Sequence, residues 1–283
     1  MSALGRPNQP VQETLPGVVG ARPFLKWAGG KRQLLRALLP RIPSTRGTYH
    51  EPFLGGGALF FALRPQGAVL ADTNSRLIRT FVGVQKHVEA LVSRLIPMPV
   101  SRDFFNAQRQ IPIDQASDID VAAWFIYLNR TGYNGLYRVN RRGDFNVPFG
   151  RYENPRICDP ENLRACSDAL SRASLIVSDF ETVLDRAAPG DVVYFDPPYI
   201  PVSVHSSFTR YTREQFRIAD HRRLRDVALE LKKRGVHVLL SNSAAPEVFE
   251  LYGKHFKIEV IQATRFVNSD PSGRGKIAET LIG

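Results

Sequence analysis

The sequence predicts an α/β fold in which an open, mainly parallel sheet is interrupted by a long, mostly helical insertion. Three features lead there. Residues 48–72 read as strand, glycine loop, helix and strand, the unit from which parallel sheets are wound. Apolar strands resume only near the middle of the chain, at 175–177, 192–195, 236–240 and 257–261. The stretch between, from 75 to about 172, keeps helical apolar spacing except at 137–147.

In chain order, leucines at helical spacing predict a helix over 32–39. A strand at 48–52 runs into Gly55-Gly56-Gly57, which breaks it, and a helix at 58–63 leads to a strand at 68–72 ending on Asp72. Within the helical stretch, β-formers on either side of Arg141-Arg142-Gly143 predict a hairpin at 137–147. A long helix over about 212–233 separates the strands at 192–195 and 236–240. The α/β domain is therefore discontinuous, made of 22–74 and 173–283, with 75–172 inserted into it. Residues 1–21 mix Pro, Gln, Gly and Val without an apolar block and are expected to be a disordered tail rather than a secretion signal.

A chain of 283 residues with 43% hydrophobic content buries a full core, and its net charge of +11 favours a polyanionic partner. The longest apolar run, Val121 to Leu128, is far short of the roughly 18 residues of a membrane helix. A cytoplasmic protein is expected. Two cysteines and six histidines without helical ligand spacing predict neither a disulfide framework nor a metal site.

The sharpest motif is Asp196-Pro197-Pro198-Tyr199, directly after the apolar run Val192 to Phe195. It sets a carboxylate at the C-terminal edge of a parallel strand, where open α/β sheets bind ligands. An aromatic amine is a poor nucleophile while its lone pair is delocalised into the ring. Acceptors facing both N–H bonds localise that pair, and the Asp196 side chain and the Pro197 carbonyl are two such acceptors. Tyr199 is placed to stack on the base.

Glu51-Pro52-Phe53-Leu54-Gly55-Gly56-Gly57 follows the first strand and opens a helix, so a ligand can approach the backbone closely. Phe60 breaks the dinucleotide fingerprint here, and Gly30-Lys31 lacks the earlier glycine and the following Ser or Thr of a phosphate loop. Asp72, about twenty residues on, is placed to hold ribose hydroxyls. Loop and acid together describe a nucleoside ligand without a pyrophosphate, such as S-adenosylmethionine. Trp27 and Lys31, in the run Phe24 to Lys31, are candidates to clamp it. Residues 129–152 carry Arg130, Arg138, Arg141, Arg142 and Arg151 interleaved with Tyr133, Tyr137, Phe145, Phe149 and Tyr152, a pattern suited to phosphate contact and base reading.

On these residues, from Phe24–Lys31 through Glu51–Phe60, Ala71–Ser75, Leu128–Tyr152 and Asp196–Tyr199, the chain resembles the Dam family of DNA adenine methyltransferases. The resemblance covers nearly everything from Arg22 to Ile282. It implies a Rossmann-like S-adenosylmethionine-dependent methyltransferase sheet, with the insertion as a helical and β-hairpin DNA-recognition domain. It also implies transfer of a methyl group to N6 of adenine in double-stranded DNA after base flipping, at GATC. Asp196, Pro197 and Tyr199 would be catalytic. Trp27, Lys31, Glu51, Phe53, Gly55, Gly57, Asp72 and Asp196 would bind the cofactor. Lys26, Tyr133, Asn134, Arg138, Arg141, Arg142, Pro148, Arg151 and Tyr152 would face DNA, with Tyr133 wedged into the stack beside the flipped adenine. A monomer of bacterial or phage origin is expected. The segment 200–211 is shorter than the family pattern.

Overall fold

The structure is a computed structural model that describes residues 20–29, 31–43, 47–202, 216–264 and 276–283. The expected tail therefore lies almost wholly outside the described residues, as do most of the short segment at 200–211 and the expected helical start at 212–215.

Seven strands form one sheet: β1 (Tyr49–Glu51), β2 (Ala68–Asp72), β3 (Ala173–Val177), β4 (Val192–Phe195), β5 (His237–Ser243), β6 (Ile258–Thr264) and β7 (Lys276–Ile282). Their order is β3-β2-β1-β4-β5-β7-β6. The first five are parallel, and β7 runs antiparallel to both β5 and β6. The order reverses between β1 and β4, which pair only through Tyr49–Val192 and His50–Val193. Below that pairing the carboxyl of Asp191 accepts the backbone N–H groups of Thr48 (2.7 Å) and Ala188 (2.9 Å) and meets His50 Nε2 at 3.0 Å. The two strands are thus pinned at one end and part at the other, opening the crevice in which α/β sheets hold ligands.

Among the described residues the α-helices are α1 (Leu35–Leu38), α2 (Ala58–Leu63), α3 (Ser75–Leu95), α4 (Arg102–Arg109), α5 (Asp118–Thr131), α6 (Pro160–Leu170), α7 (Ile218–Lys233) and α8 (Pro246–Tyr252). The alternation of β4 shows the layering: Val192 and Tyr194 join a core with Leu70, Phe81 and Phe125, while Val193 and Phe195 join one with Leu224, Val238 and Tyr252. Helix α5 is apolar on nearly every side, from Val121 to Leu128, because it is wrapped by other elements rather than lying on the surface. No break in packing marks residue 75: α3, capped by the Asn74 side chain, packs on α5 and α6 and also on β2 and β3.

Several elements differ from expectation. The helix expected at 32–39 is divided into two 3-10 turns, Lys31–Gln33 and Leu39–Arg41, around the single turn of α1. The hairpin expected at 137–147 is held by one bridge, Val139–Phe145, rather than by regular strands, because Phe145 and Val147 turn into the core. Strand β7 and helix α8 were not anticipated. Among the described residues no helix is long and apolar enough to cross a membrane, no group of side chains is arranged to hold a metal, and Cys158 and Cys166 are unpaired.

Candidate active site

Asp196 follows β4 at the edge of the crevice. Its Oδ1 accepts from Lys31 Nζ at 2.9 Å and from Ser241 Oγ at 3.0 Å. Burial raises its pKa above the ordinary value, while the charge and hydrogen bond of Lys31 oppose that shift. Lys31 also donates to the Gly29 carbonyl at 2.7 Å and sits 4.5 Å from the centroid of the Tyr199 ring, covering one face. The Tyr199 hydroxyl donates to Glu279 Oε2 at 2.8 Å. The next residue is clamped from β5: Ile200 N–H donates to Asn242 Oδ1 at 3.1 Å, and Ser243 Oγ donates to the Ile200 carbonyl. Thr280 Oγ1 on β7 donates to the Asn242 and Ser243 carbonyls. Ser241, Asn242, Ser243 and Glu279 escaped the sequence reading. The available signal was a polar run, Ser-Asn-Ser, ending an otherwise apolar strand.

The second part of the site lies at the ends of β1 and β2. Gly55 has φ 48° and Gly57 φ 66°, conformations that side chains rarely adopt. A Cβ on Gly55 would come within 2.8 Å of the Trp27 indole, so the glycine lets loop and ring meet. Trp27 itself lies nearly parallel to Phe125 and Tyr137, with centroids 6.3 and 6.2 Å away. Asp72 Oδ2 accepts from Gly55 N–H at 3.1 Å and Oδ1 from Asn74 N–H at 2.9 Å, and burial raises its pKa. Phe53 stacks on Phe180 at 5.5 Å, with Phe195 and Phe216 edge-on. Phe180, also missed from sequence, follows β3 as Phe53 follows β1. Glu51 is buried: it accepts from Tyr49 Oη at 2.9 Å, and burial pushes its pKa up to about 8. Positive-φ glycines, flat aromatic walls and an acid held at a strand end fit a nucleoside-bearing ligand.

The third part is basic and exposed. Lys26, Tyr133, Asn134, Arg138, Arg141, Arg142, Pro148 and Arg151 are all exposed, and Tyr152 is half-buried. Lys26 Nζ lies 4.6 Å from the Tyr152 ring centroid, and the Tyr152 hydroxyl accepts Asn134 N–H at 2.8 Å. Arg138 is held by Asn146, donating from Nε to Oδ1 at 2.7 Å and from a terminal nitrogen to the carbonyl at 3.1 Å. Arg141 and Arg142 occupy the tip, where Asn140 Oδ1 accepts the N–H groups of Arg142 and Asp144. Buried Asn129 joins this part to the rest: its amide bonds to the backbone N–H and carbonyl of Lys26 (both 2.8 Å) and to the Gly135 carbonyl (2.7 Å). Lys26 is thereby fixed beside Trp27 on one side and Tyr133–Gly135 on the other.

A family model and several relatives match this chain over most of its length. The sequence model of the D12 class N6 adenine-specific DNA methyltransferases matches residues 27–267. The chain is 44% identical over 272 residues to the type II methyltransferase M1.LlaDCHI of Lactococcus lactis subsp. cremoris, covering 93% of this chain and 95% of that protein. It is 37% identical to the type II methyltransferase M.MjaIII of Methanocaldococcus jannaschii, over 87% of this chain and 93% of the relative. It is 34% identical to the DNA adenine methylase of Escherichia coli (strain K12), over 92% and 94%.

Proposed function

Because the chain belongs to the D12 class of N6 adenine-specific DNA methyltransferases, we propose that Asp196, Pro197 and Tyr199 carry methyl transfer to adenine, with S-adenosylmethionine as donor. The observation that carries this reading is the Asp196 carboxylate, fixed at the carboxyl end of β4 by Lys31 and Ser241. The amino group of adenine is buried by pairing and stacking in duplex DNA, so the base is flipped out before it reacts. Tyr199 stacks on it. Asp196 accepts one N–H of the amine and the Pro197 carbonyl the other, which moves the nitrogen toward the tetrahedral geometry of attack. As the nitrogen–methyl bond forms the donor's methyl–sulfur bond would break, leaving a neutral thioether, and the proton lost by the nitrogen passes to the Asp196 carboxylate and from there to solvent.

Gly55, Gly57, Asp72, Trp27 and Phe53, with Phe180, would hold the cofactor, which when bound supplies an electrophilic methyl carbon. Glu51 and Lys31 act one layer beneath, bracing the β1 loop and the catalytic turn. Within the insertion 75–172, the block 129–152 with Lys26 forms the DNA face. Arg138 reads a base edge, Tyr133 and Asn134 sit against the opened stack, and Arg141, Arg142 and Arg151 meet phosphates. The likeness of the block 128–152 to the Dam pattern supports GATC as the target. Mapping methylated adenines in DNA from cells expressing this chain alone tests the reading. Modification confined to GATC is expected, and a different or absent consensus would refute the assignment.

A further inference from the structure

Among the described residues, both contacts of the Asp196 carboxylate fall on one oxygen. Oδ1 takes Lys31 Nζ and Ser241 Oγ, while among the described residues Oδ2 accepts nothing. Ser241 reaches Oδ1 through the register of the sheet: β4 and β5 pair Phe195 with Leu240, so the next residues, Asp196 and Ser241, stand side by side. A serine hydroxyl has one proton, and the carboxylate can only accept it. The Tyr194 hydroxyl, 2.9 Å from Ser241 Oγ, must then be the donor in that pair. The chain of bonds has a single direction, from Tyr194 to Ser241 to Asp196. Tyr194 and Ser241 are fully buried, so water does not compete for either hydroxyl.

We propose that Ser241 is a positioning residue for the reaction: with Lys31 it saturates Oδ1 of Asp196, fixes the carboxylate's rotation and leaves Oδ2 to receive the amino group of the target base. The inference rests on the reading of Asp196 as the acceptor for that amine. Around Asp196 stand Lys31 from the N-terminal segment, Tyr49 and Glu51 from β1, Tyr194 on its own strand, Tyr199 beyond the turn and Glu279 from β7. Burial disfavours ionised Asp196, whereas Lys31 and Ser241 favour it. Ser241 therefore both aims the carboxylate and keeps it charged.

The test compares Ser241→Ala and Tyr194→Phe with the parent chain in methyl transfer to DNA, measuring kcat, KM for DNA, affinity for S-adenosylhomocysteine and the pH dependence of kcat. Ser241→Ala is expected to lower kcat on the order of tenfold, the usual worth of one hydrogen bond to a charged group, with KM and cofactor affinity within about twofold of the parent. The acid limb of kcat is expected to move to higher pH, because a carboxylate that loses a donor is more easily protonated. Tyr194→Phe is expected to move both quantities in the same direction by less, and it carries the test if Ser241→Ala does not fold. A loss confined to KM, or an acid limb that stays in place in both variants, would overturn the role of Ser241. If the parent methylates adenine and Asp196→Ala does not, an unchanged Ser241→Ala overturns this inference alone. A parent chain that transfers no methyl group to adenine would overturn it together with the proposed function.

Discussion

Replacing Asp196 with Asn keeps the shape of the side chain and removes its charge, and two separable losses follow. At the reacting centre an ionised acceptor becomes a neutral amide. Removing one preorganised partner of a developing charge costs on the order of 100-fold in kcat, or about 2.7 kcal/mol of barrier. Beneath the centre, Lys31 is 7% exposed and loses its counter-charge at 2.9 Å. Breaking a buried ion pair by removing one partner costs roughly 3–5 kcal/mol of stability. The lower end is expected, because Lys31 keeps the Gly29 carbonyl and the Tyr199 ring. The variant should therefore melt earlier yet bind DNA with nearly parental affinity, since the basic face is untouched. Single-turnover transfer of labelled methyl groups, read beside DNA-binding anisotropy and a thermal melt, separates the two losses. A folded variant with turnover within about threefold of the parent would refute the catalytic assignment.

Trp27→Ala and Asp72→Ala, which strip opposite sides of the glycine loop, should each weaken S-adenosylhomocysteine binding in an equilibrium titration; unchanged affinity in both would break the cofactor-site assignment. Arg138→Ala should relax discrimination between cognate DNA and single-base variants by roughly 1–3 kcal/mol, as expected for a lost bidentate base contact. Arg142→Ala should instead weaken binding to all sequences alike and reduce the salt slope by about one; the opposite pattern would exchange reader and anchor. Glu51 has a folded pKa of about 8 against an ordinary 4.5, so the folded chain holds a proton that the unfolded chain releases between these values. Stability is expected to fall through this group as pH rises across about 4.5 to 8, by up to a few kcal/mol. Glu51→Gln should flatten that part of a denaturation series, and an equal decline in the variant would contradict the assignment.

Local pattern made much of the site legible. A four-residue apolar strand followed by Asp196-Pro197-Pro198-Tyr199 has few structural alternatives, and the three glycines at 55–57 identify a loop that something must approach closely. What was hidden depends on distance along the chain. Glu279 meets Tyr199 across 80 residues and Asn129 meets Lys26 across 103. Neither residue type, alone in its segment, announces a partner. Strand β7 is inserted antiparallel between β5 and β6, an order set by topology rather than by the periodicity of its own seven residues. The hairpin at 137–147 was legible as a turn around Gly143 but not as a loop whose apolar side chains serve the core. There Tyr137 and Phe145 pack against Phe125 and Trp124, and tertiary packing outweighs strand pairing.

The most direct test of the central claim incubates the purified chain with S-adenosylmethionine labelled in its methyl group and duplex DNA free of adenine methylation, then digests the DNA to nucleosides. Label is expected only in N6-methyl-2′-deoxyadenosine, and it should vanish with Asp196→Ala. Label in a methylated deoxycytidine, or in N6-methyl-2′-deoxyadenosine at the same level with Asp196→Ala, would contradict the account.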